Sequence, residues 1–384
     1  MRSARWFQVA LFMAAAVAVE LAAVYAGKAF LLTQLTMSAY YTLVVIGLSL
    51  LMGYAGQISI GHAGFFAIGG YAAAALTTWD LSGRRGGWLV SALGAAGALV
   101  SRPDLYGGTV LVVRPLVAFG VAVLLALVIA FAVGIPVLRL KGHYLAMATL
   151  GIGTIVYSIA LGTGALGAAD GISGVPPFPL LGGLQVGGAA SIRVANYYIA
   201  FGLLALGMLL LLNLVNSRVG RALRAIHGAE EAASAMGVDT ARFKLQTFVL
   251  SAVLAAVAGV FLTHFNGGVG PSEASIMKSV KYVAIVAVGG MGSLWGTLTT
   301  SLVLNFLSLR GYFGTFDDAV FGLILIAVML FAPSGILALS FRRSLEPVLG
   351  RLRTAPKPAT REGEAGDPDS MPYRLEEKPS EDGR

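Results

Sequence analysis

NSRVGRALRAIHGAEEAASAMGVDTARFKLQ, residues 216–246, is a polar island between two long apolar runs. The runs on either side are suited to hydrocarbon, so this segment is where the chain meets another protein in water. Ala229 to Met236 contains no helix breaker, places Glu230 and Glu231 in a first turn where negative charge suits the helix dipole, and stops at Gly237, a residue favoured just past a helix end. Asp239 then caps a further helix that runs through Phe243. Ala232 and Met236 stand one turn apart, with Ala229 and Ala233 nearby, and together they form a face narrow enough to lie in a partner's groove. Arg218, Arg221 and Arg224 precede it at three-residue spacing. The competing reading is a solvated loop whose arginines only fix topology.

Composition sets the class. Of 384 residues, 57% are hydrophobic and 12% charged, and the mean hydropathy is +0.80. A soluble domain carries about 25% charged residues, so the predicted fold is an all-α polytopic membrane protein. The 50 glycines, many inside apolar runs, let helices approach closely where lipid supplies no hydrophobic drive. The net charge of +8 sits in ends and loops, which fits orientation and contact with anionic membrane lipid, not nucleic-acid binding. With no cysteine, disulfide and thiolate chemistry are excluded.

The basic start Met1 to Arg5 is followed by an apolar run, Trp6 to Ala26, with Glu20 near its outer end. It reads as an uncleaved first helix whose basic N-terminus stays inside, with a signal peptide as the alternative. Helices are expected over Thr36 to Met52 and Ile58 to Thr78. Across their junction, GYAGQISIGHAGFFAIGGYAAA (53–74) places Gln57, Ser59 and His62 in apolar, glycine-dense sequence. The bilayer penalises such groups unless they face other helices or a water-filled path, so His62 is either a packing histidine or part of the conduit. In residues 79–115 two polar turns leave Trp88 to Val100 too short to span, so a re-entrant or surface helix is expected there, with a short tilted span as the alternative.

Leu116 to Leu138 and His143 to Leu161 read as spans, with Arg139 and Lys141 marking a cytoplasmic end between them. The glycine- and proline-rich loop from Gly162 to Ser191 should lie outside. Ala195 to Val215 enters the polar island and Thr247 to Phe265 leaves it, while Gly267 to Lys281 reads as an external interfacial piece. Tyr282 to Leu309 is interrupted by GGMGSLWG (289–296), which predicts a broken pair of helices. The last helix is expected at Ala319 to Leu339, with arginines at 342, 343, 351 and 353 on its cytoplasmic end. In all, about 8–10 transmembrane or re-entrant helices with broken glycine-rich segments are expected. They divide into an N-terminal transmembrane helix (1–30), a multi-helix transmembrane domain (31–341) holding the cytoplasmic polar loop 216–246, and a charged cytoplasmic tail (342–384) expected to be disordered.

GYAGQISIGHAGFFAIGGYAAA, LRLKGHYLAMATLGIG (138–153), the glycine-rich turn at Gly167 to Gly171, GAEEAASAMGVD (228–239) and VAIVAVGGMGSLWGTLTTSLVL (283–304) together resemble the membrane subunits of branched-chain amino-acid ABC importers. The resemblance covers most of residues 30–340 in order. It implies a multi-pass permease of a bacterial-type inner membrane, with both termini cytoplasmic. Its partners would be a second related permease, two cytoplasmic ATPases and an extracytoplasmic substrate-binding protein. Glu231, Ala232, Ala233 and Gly237 resemble the EAA-type coupling loop that docks on an ATPase, although that loop's later proline is absent here. With the neighbouring Arg221, Arg224, Glu230 and Met236 they make up the expected ATPase-coupling element.

Independently of the resemblance, the chain has no phosphate-cradling Gly-x-x-x-x-Gly-Lys-Ser/Thr segment, so nucleotide chemistry belongs to another subunit. Four scattered histidines and no HExxH-like pair present no catalytic array, no metal site and no cofactor motif. Gln57, Ser59, His62, His143, Thr149 and Asn305 are the candidate lining of the translocation path. A path poor in charge suits a compact zwitterion with an apolar side chain. Asp170 and Glu273, in outer loops, are either contacts for lysines of the binding protein or solvated loop charge. Two alternatives stand beside this reading: the same architecture carrying urea, short amides or another small metabolite, and an ion-coupled secondary transporter or channel. The latter needs a charge deep in a helix, and only Glu20, near an end, comes close.

Overall fold

The computed structural model describes residues 2–84, 88–95, 97–103, 109–140 and 142–331. The expected tail and the final turns of the expected last helix lie outside the described residues. The helices are α1 (Arg2–Tyr25), α2 (Leu31–Ala55), α3 (His62–Thr78), α4 (Trp88–Ala95), α5 (Pro115–Val137), α6 (His143–Gly162), α7 (Arg193–Val215), α8 (Arg218–Gly228), α9 (Glu230–Ala235), α10 (Thr240–Asn266), α11 (Ile276–Gly289), α12 (Leu294–Leu309) and α13 (Asp317–Phe331). Among the described residues, six helices are long and apolar enough to cross a membrane: α1, α2, α5, α6, α7 and α10. The chain is an all-α polytopic membrane protein.

Three short antiparallel ribbons ornament the bundle: β1 (Leu99–Pro103) with β2 (Thr109–Val113), β3 (Ile172–Ser173) with β6 (Gly268–Val269), and β4 (Phe178–Pro179) with β5 (Gln185–Val186). The first corrects the expectation of a helix from Trp88 to Val100. Gly97, at φ +65°, follows α4 in the left-handed region, and the β-branched run Thr109 to Val113 then pairs with Leu99 to Pro103, Ser101 facing Leu111. Two further boundaries shift. Gly56, at φ +67°, closes α2, so α3 begins only at His62 and residues 56–61 are non-helical. The expected interfacial piece ends at Ser275, placing Lys278 and Lys281 inside α11.

Interhelical bonds order the two ends of the bundle. Arg5 Nη1 donates to Asn213 Oδ1 at 2.8 Å, joining the start of α1 to the end of α7, and Tyr54 Oη donates to the carbonyl of Gly292 at 3.0 Å, joining the end of α2 to the α11–α12 break. These features share the end that carries α8 and α9, called proximal below. At the distal end the β1–β2 ribbon is tied to α3 by the Leu81 N–H to Leu111 carbonyl bond, and β3–β6 ties the 163–192 loop to the end of α10.

α2 is the axis: every residue from Ser38 to Met52 is buried, and α7, α10, α11 and α12 pack around it. α3 and α10 pack backbone to backbone. A Cβ on Gly259 would come 2.0 Å from the Phe66 carbonyl oxygen, and one on Gly69 would come 2.2 Å from that of Ala256. In hydrocarbon, where apolar side chains gain nothing by leaving lipid, such close approach is what holds helices together. α1, by contrast, is peripheral and leans on α7. Phe12 stacks on Phe201 at 5.8 Å, Tyr197 Oη donates to the Ala16 carbonyl, and Tyr198 Oη donates to Glu20, which is thereby buried with a partner.

Gly259→Ala is expected to lower stability by about 1–3 kcal/mol through overpacking. Gly151, where an added Cβ meets nothing within 4 Å, provides the control. Gly151→Ala should leave the thermal midpoint of the detergent-solubilised protein unchanged or slightly raised, while Gly259→Ala lowers it.

Candidate translocation seam and coupling element

A run of neutral polar groups follows α2 through the bundle. Thr42 Oγ1 donates to Ser301 Oγ at 3.0 Å, and Asn305 Nδ2 donates to both the carbonyl and the hydroxyl of Ser301, at 2.9 and 3.0 Å. About two turns further along α2 toward the proximal end, Ser49 and Thr297 hydroxyls lie 3.2 Å apart. On the α3–α10 side, His62 is fully buried: Nδ1 hydrogen-bonds with Ser59 Oγ at 3.0 Å and Nε2 with Ser251 Oγ at 2.7 Å. The Ala63 N–H donates to Ser279 Oγ, binding α3 to α11, and the Ile60 N–H donates to Thr149 Oγ1, binding the 56–61 segment to α6. Each such bond in a bilayer contributes about 0.6 kcal/mol, with 1–2 in favourable cases.

The six candidate path residues therefore divide. Gln57, Ser59, His62 and Thr149 gather around the 56–61 segment, and Asn305 lies on α12 toward the distal end. His143 opens α6 exposed and stands apart from the seam. Gln57 is buried at 2% exposure, and neither its Oε1 nor its Nε2 has a partner. It lines a proximal cavity of about 250 Å³ together with Gly56, Ile226, His227, Glu230 and Lys244. Not anticipated were the partner hydroxyls, Thr42, Ser49, Ser251, Thr297 and Ser301. Their signal was a hydroxyl within an otherwise apolar run, too common in membrane helices to single out.

Charge is confined to the two ends of this seam. Distally, Lys278 Nζ lies 2.6 Å from Glu273 Oε1, and Tyr41 Oη, which accepts from Lys278 at 3.1 Å, donates to Glu273 at 3.2 Å. Glu273 is thus paired within the chain and largely withdrawn from solvent, which corrects its reading as solvated loop charge. Asp170 is exposed. Proximally, Glu230 Oε2 and Lys244 Nζ form an ion pair at 2.5 Å between α9 and α10, with Lys244 buried.

The polar island folds as two helices. Ser217 caps α8, its hydroxyl accepting from the Val219 N–H at 3.1 Å. Gly220, Leu223 and Ile226 turn inward while Arg218, Arg221 and Arg224 turn outward, so α8 lies flat on the bundle with a basic outer face. Residues 219, 223 and 226 carry the apolar spacing of an amphipathic helix, the signal from which α8 could have been read. α9 follows, with Glu230 and Glu231 in its first turn and Gly237 at φ +82° just beyond its end. Asp239 Oδ1 accepts from the Arg242 N–H and starts α10. Of the narrow face read from the sequence, Ala233 is buried against the bundle. Ala229, Ala232 and Met236 are exposed, Met236 at 85%.

Residues 30–333 match the family model described as branched-chain amino acid transport system, permease component. The chain is 29% identical over 326 residues to the high-affinity branched-chain amino acid transport system permease protein LivM of Escherichia coli (strain K12), covering 79% of this chain and 69% of that protein. It is 28% identical over 307 residues to permease protein LivH of the same system in the same organism, covering 79% and 92%. To permease protein BraD of Pseudomonas aeruginosa it is 27% identical over 315 residues, covering 80% and 94%. No solved structure matches the chain.

Ser251→Ala removes the partner of His62 Nε2 and is expected to cost about 1–3 kcal/mol, because a buried polar atom is then left unsatisfied. Thr154→Ala, which removes only a bond to the carbonyl one turn back in α6, should cost less than half as much. Denaturation midpoints of the two variants, compared with wild type in the same detergent, decide it.

Proposed function

The chain belongs to the branched-chain amino acid transport system permease family, and from that membership we propose that it is the passive gate of an ATP-driven importer. The substrate is a branched-chain or other small apolar amino acid. A binding protein delivers it at the distal face, it crosses between this subunit and a second related permease, and it is released at the proximal face into the cytoplasm. The proximal end is cytoplasmic in this reading, in keeping with the basic face of α8, and the membrane is the bacterial inner membrane with both termini inside. Hydrolysis of ATP occurs on two separate subunits, since the chain carries no phosphate-binding loop.

The observation that carries the reading is the construction of α9. Its exposed side, with Ala232 and Met236, is free to enter a groove on a partner, while its first residue is ion-paired to the buried Lys244 of α10. A motor that grips α9 therefore pulls on α10, the helix packed most closely against α3 and α2. α7, joined to α8 through Asn216 and Ser217, moves as the second lever. Arg221 and Arg224 on α8 and Glu231 on α9 add charged contacts around the docking face.

Glu231→Arg combined with Gly237→Trp is expected to abolish co-purification with the ATPases. Glu230→Ala should instead leave the ATPases bound and lower ATP-driven leucine uptake about tenfold or more, because the grip is kept while its link to α10 is cut. Undiminished ATPase binding and uptake in the first variant would refute α9 as the coupling helix.

A further inference from the structure

The distal ion pair is set in unusual company. Glu273 belongs to the 3₁₀ turn Pro271–Ala274 and Lys278 to the first turns of α11, and both side chains are largely withdrawn from solvent, at 16% and 23% exposure. The ammonium of Lys278 sits 4.7 Å from the centre of the Tyr41 ring. That ring in turn lies 5.7 Å from Phe66 and 6.3 Å from Tyr282, and Tyr71 belongs to the same buried cluster as Ala274, the residue after Glu273. Two hydroxyls of this aromatic shell, Tyr71 Oη and Tyr282 Oη, are buried without a hydrogen-bond partner. Buried hydroxyls are ordinarily satisfied, and leaving one bare costs about 1–3 kcal/mol. The neighbouring pair, Lys281 with Asp317, differs: Lys281 also donates to Ser308, and Asp317 accepts from Ser308, so these contacts staple α11 to α12 and α13.

A carboxylate and an ammonium paired with each other, walled by aromatic rings and overlooked by unpartnered hydroxyls, carry the charges that complement the two charges of an amino acid, beside apolar surface for its side chain. We propose that Glu273 and Lys278 form a zwitterion-reading outer gate. In the closed state each neutralises the other; when the distal face opens, Glu273 takes the α-ammonium, Lys278 the α-carboxylate, and the Tyr41, Phe66 and Tyr282 rings the side chain. The exchange keeps both buried charges paired throughout, which is the condition for moving them at low cost in a poorly solvated site. It also accounts for the neutral seam beyond: selection by charge is made at the gate, and the hydroxyls of Thr42 and Ser301 and the amide of Asn305 only line the way onward. The inference rests on the importer reading above and names the part of the molecule that separates amino acids from urea and simple amides.

The test uses equilibrium binding to the assembled complex of both permeases and ATPases, with three probes: leucine, leucinamide, which lacks the carboxylate, and 4-methylpentanoate, which lacks the ammonium. Wild type should prefer leucine over both. Lys278→Met should weaken leucine about tenfold or more while leaving leucinamide unchanged, and Glu273→Gln should weaken leucine and leucinamide while leaving 4-methylpentanoate unchanged. Parallel changes in all three probes, or a wild type that does not prefer leucine, would overturn the proposal. If either variant fails to assemble, Lys278→Arg and Glu273→Asp decide instead: both keep the charges and must keep the preference for leucine. ATP-driven leucine uptake by the unaltered importer reports separately on the importer reading.

Discussion

Hydrocarbon offers no partner to a polar group, and the architecture of this chain follows from that single constraint. A hydroxyl, amide or imidazole carried into the bundle is costly unless it is partnered, and where the partner lies on another helix the polar side chains become points at which helices are registered. Thr42 with Ser301 and Ser49 with Thr297 align α12 along α2, while His62 with Ser251 aligns α3 with α10. The glycines do the complementary work. Where Gly69 faces Ala256 and Gly259 faces Phe66, backbones touch, and where Gly53 faces the Met291 carbonyl, the end of α2 seats on the break between α11 and α12.

The same constraint separates neutral from charged residues along the length of the protein. The interior seam carries hydroxyls, an imidazole and amides, whereas the ion pairs Glu273–Lys278 and Glu230–Lys244 stand at opposite ends. Among the described residues of this seam none is charged, so a solute moving along it as proposed would meet no fixed charge midway. In the proposed importer, work comes from outside the bundle. The proximal ion pair, which locks a short exposed helix to a buried one, is a mechanical link of the kind such work requires.

Much of this was legible in the sequence, for physical reasons that can be traced residue by residue. The apolar runs are long and their breaks are marked by glycine or by cap residues, so α5, α6, α7 and α10 fall close to their expected places, and Asp239 caps as its position implies. The helix break at 290–293 was visible in GGMGSLWG for the same reason. What could not be read was anything that depends on which helices are neighbours. Lys244 looks like one more loop cation until α9 folds back to set Glu230 against it, and Glu273 looks solvated until α11 begins five residues before Lys281. The β1–β2 ribbon was missed because a short apolar stretch between polar turns reads equally as helix or strand. α8 is not evident from its composition, because its stripe of Val219, Leu223 and Ile226 is short and is interleaved with three outward arginines.

The central claim is that the gate is moved from its inner face by a motor gripping α9. The chain has no cysteine, so Met236→Cys, at an 85% exposed position just past that helix, introduces a single thiol. A membrane-impermeant maleimide should label it in inside-out vesicles and not in intact spheroplasts, and binding of the ATPases should shield it. Labelling from the outside, or labelling in inside-out vesicles that the ATPases do not diminish, would contradict the account.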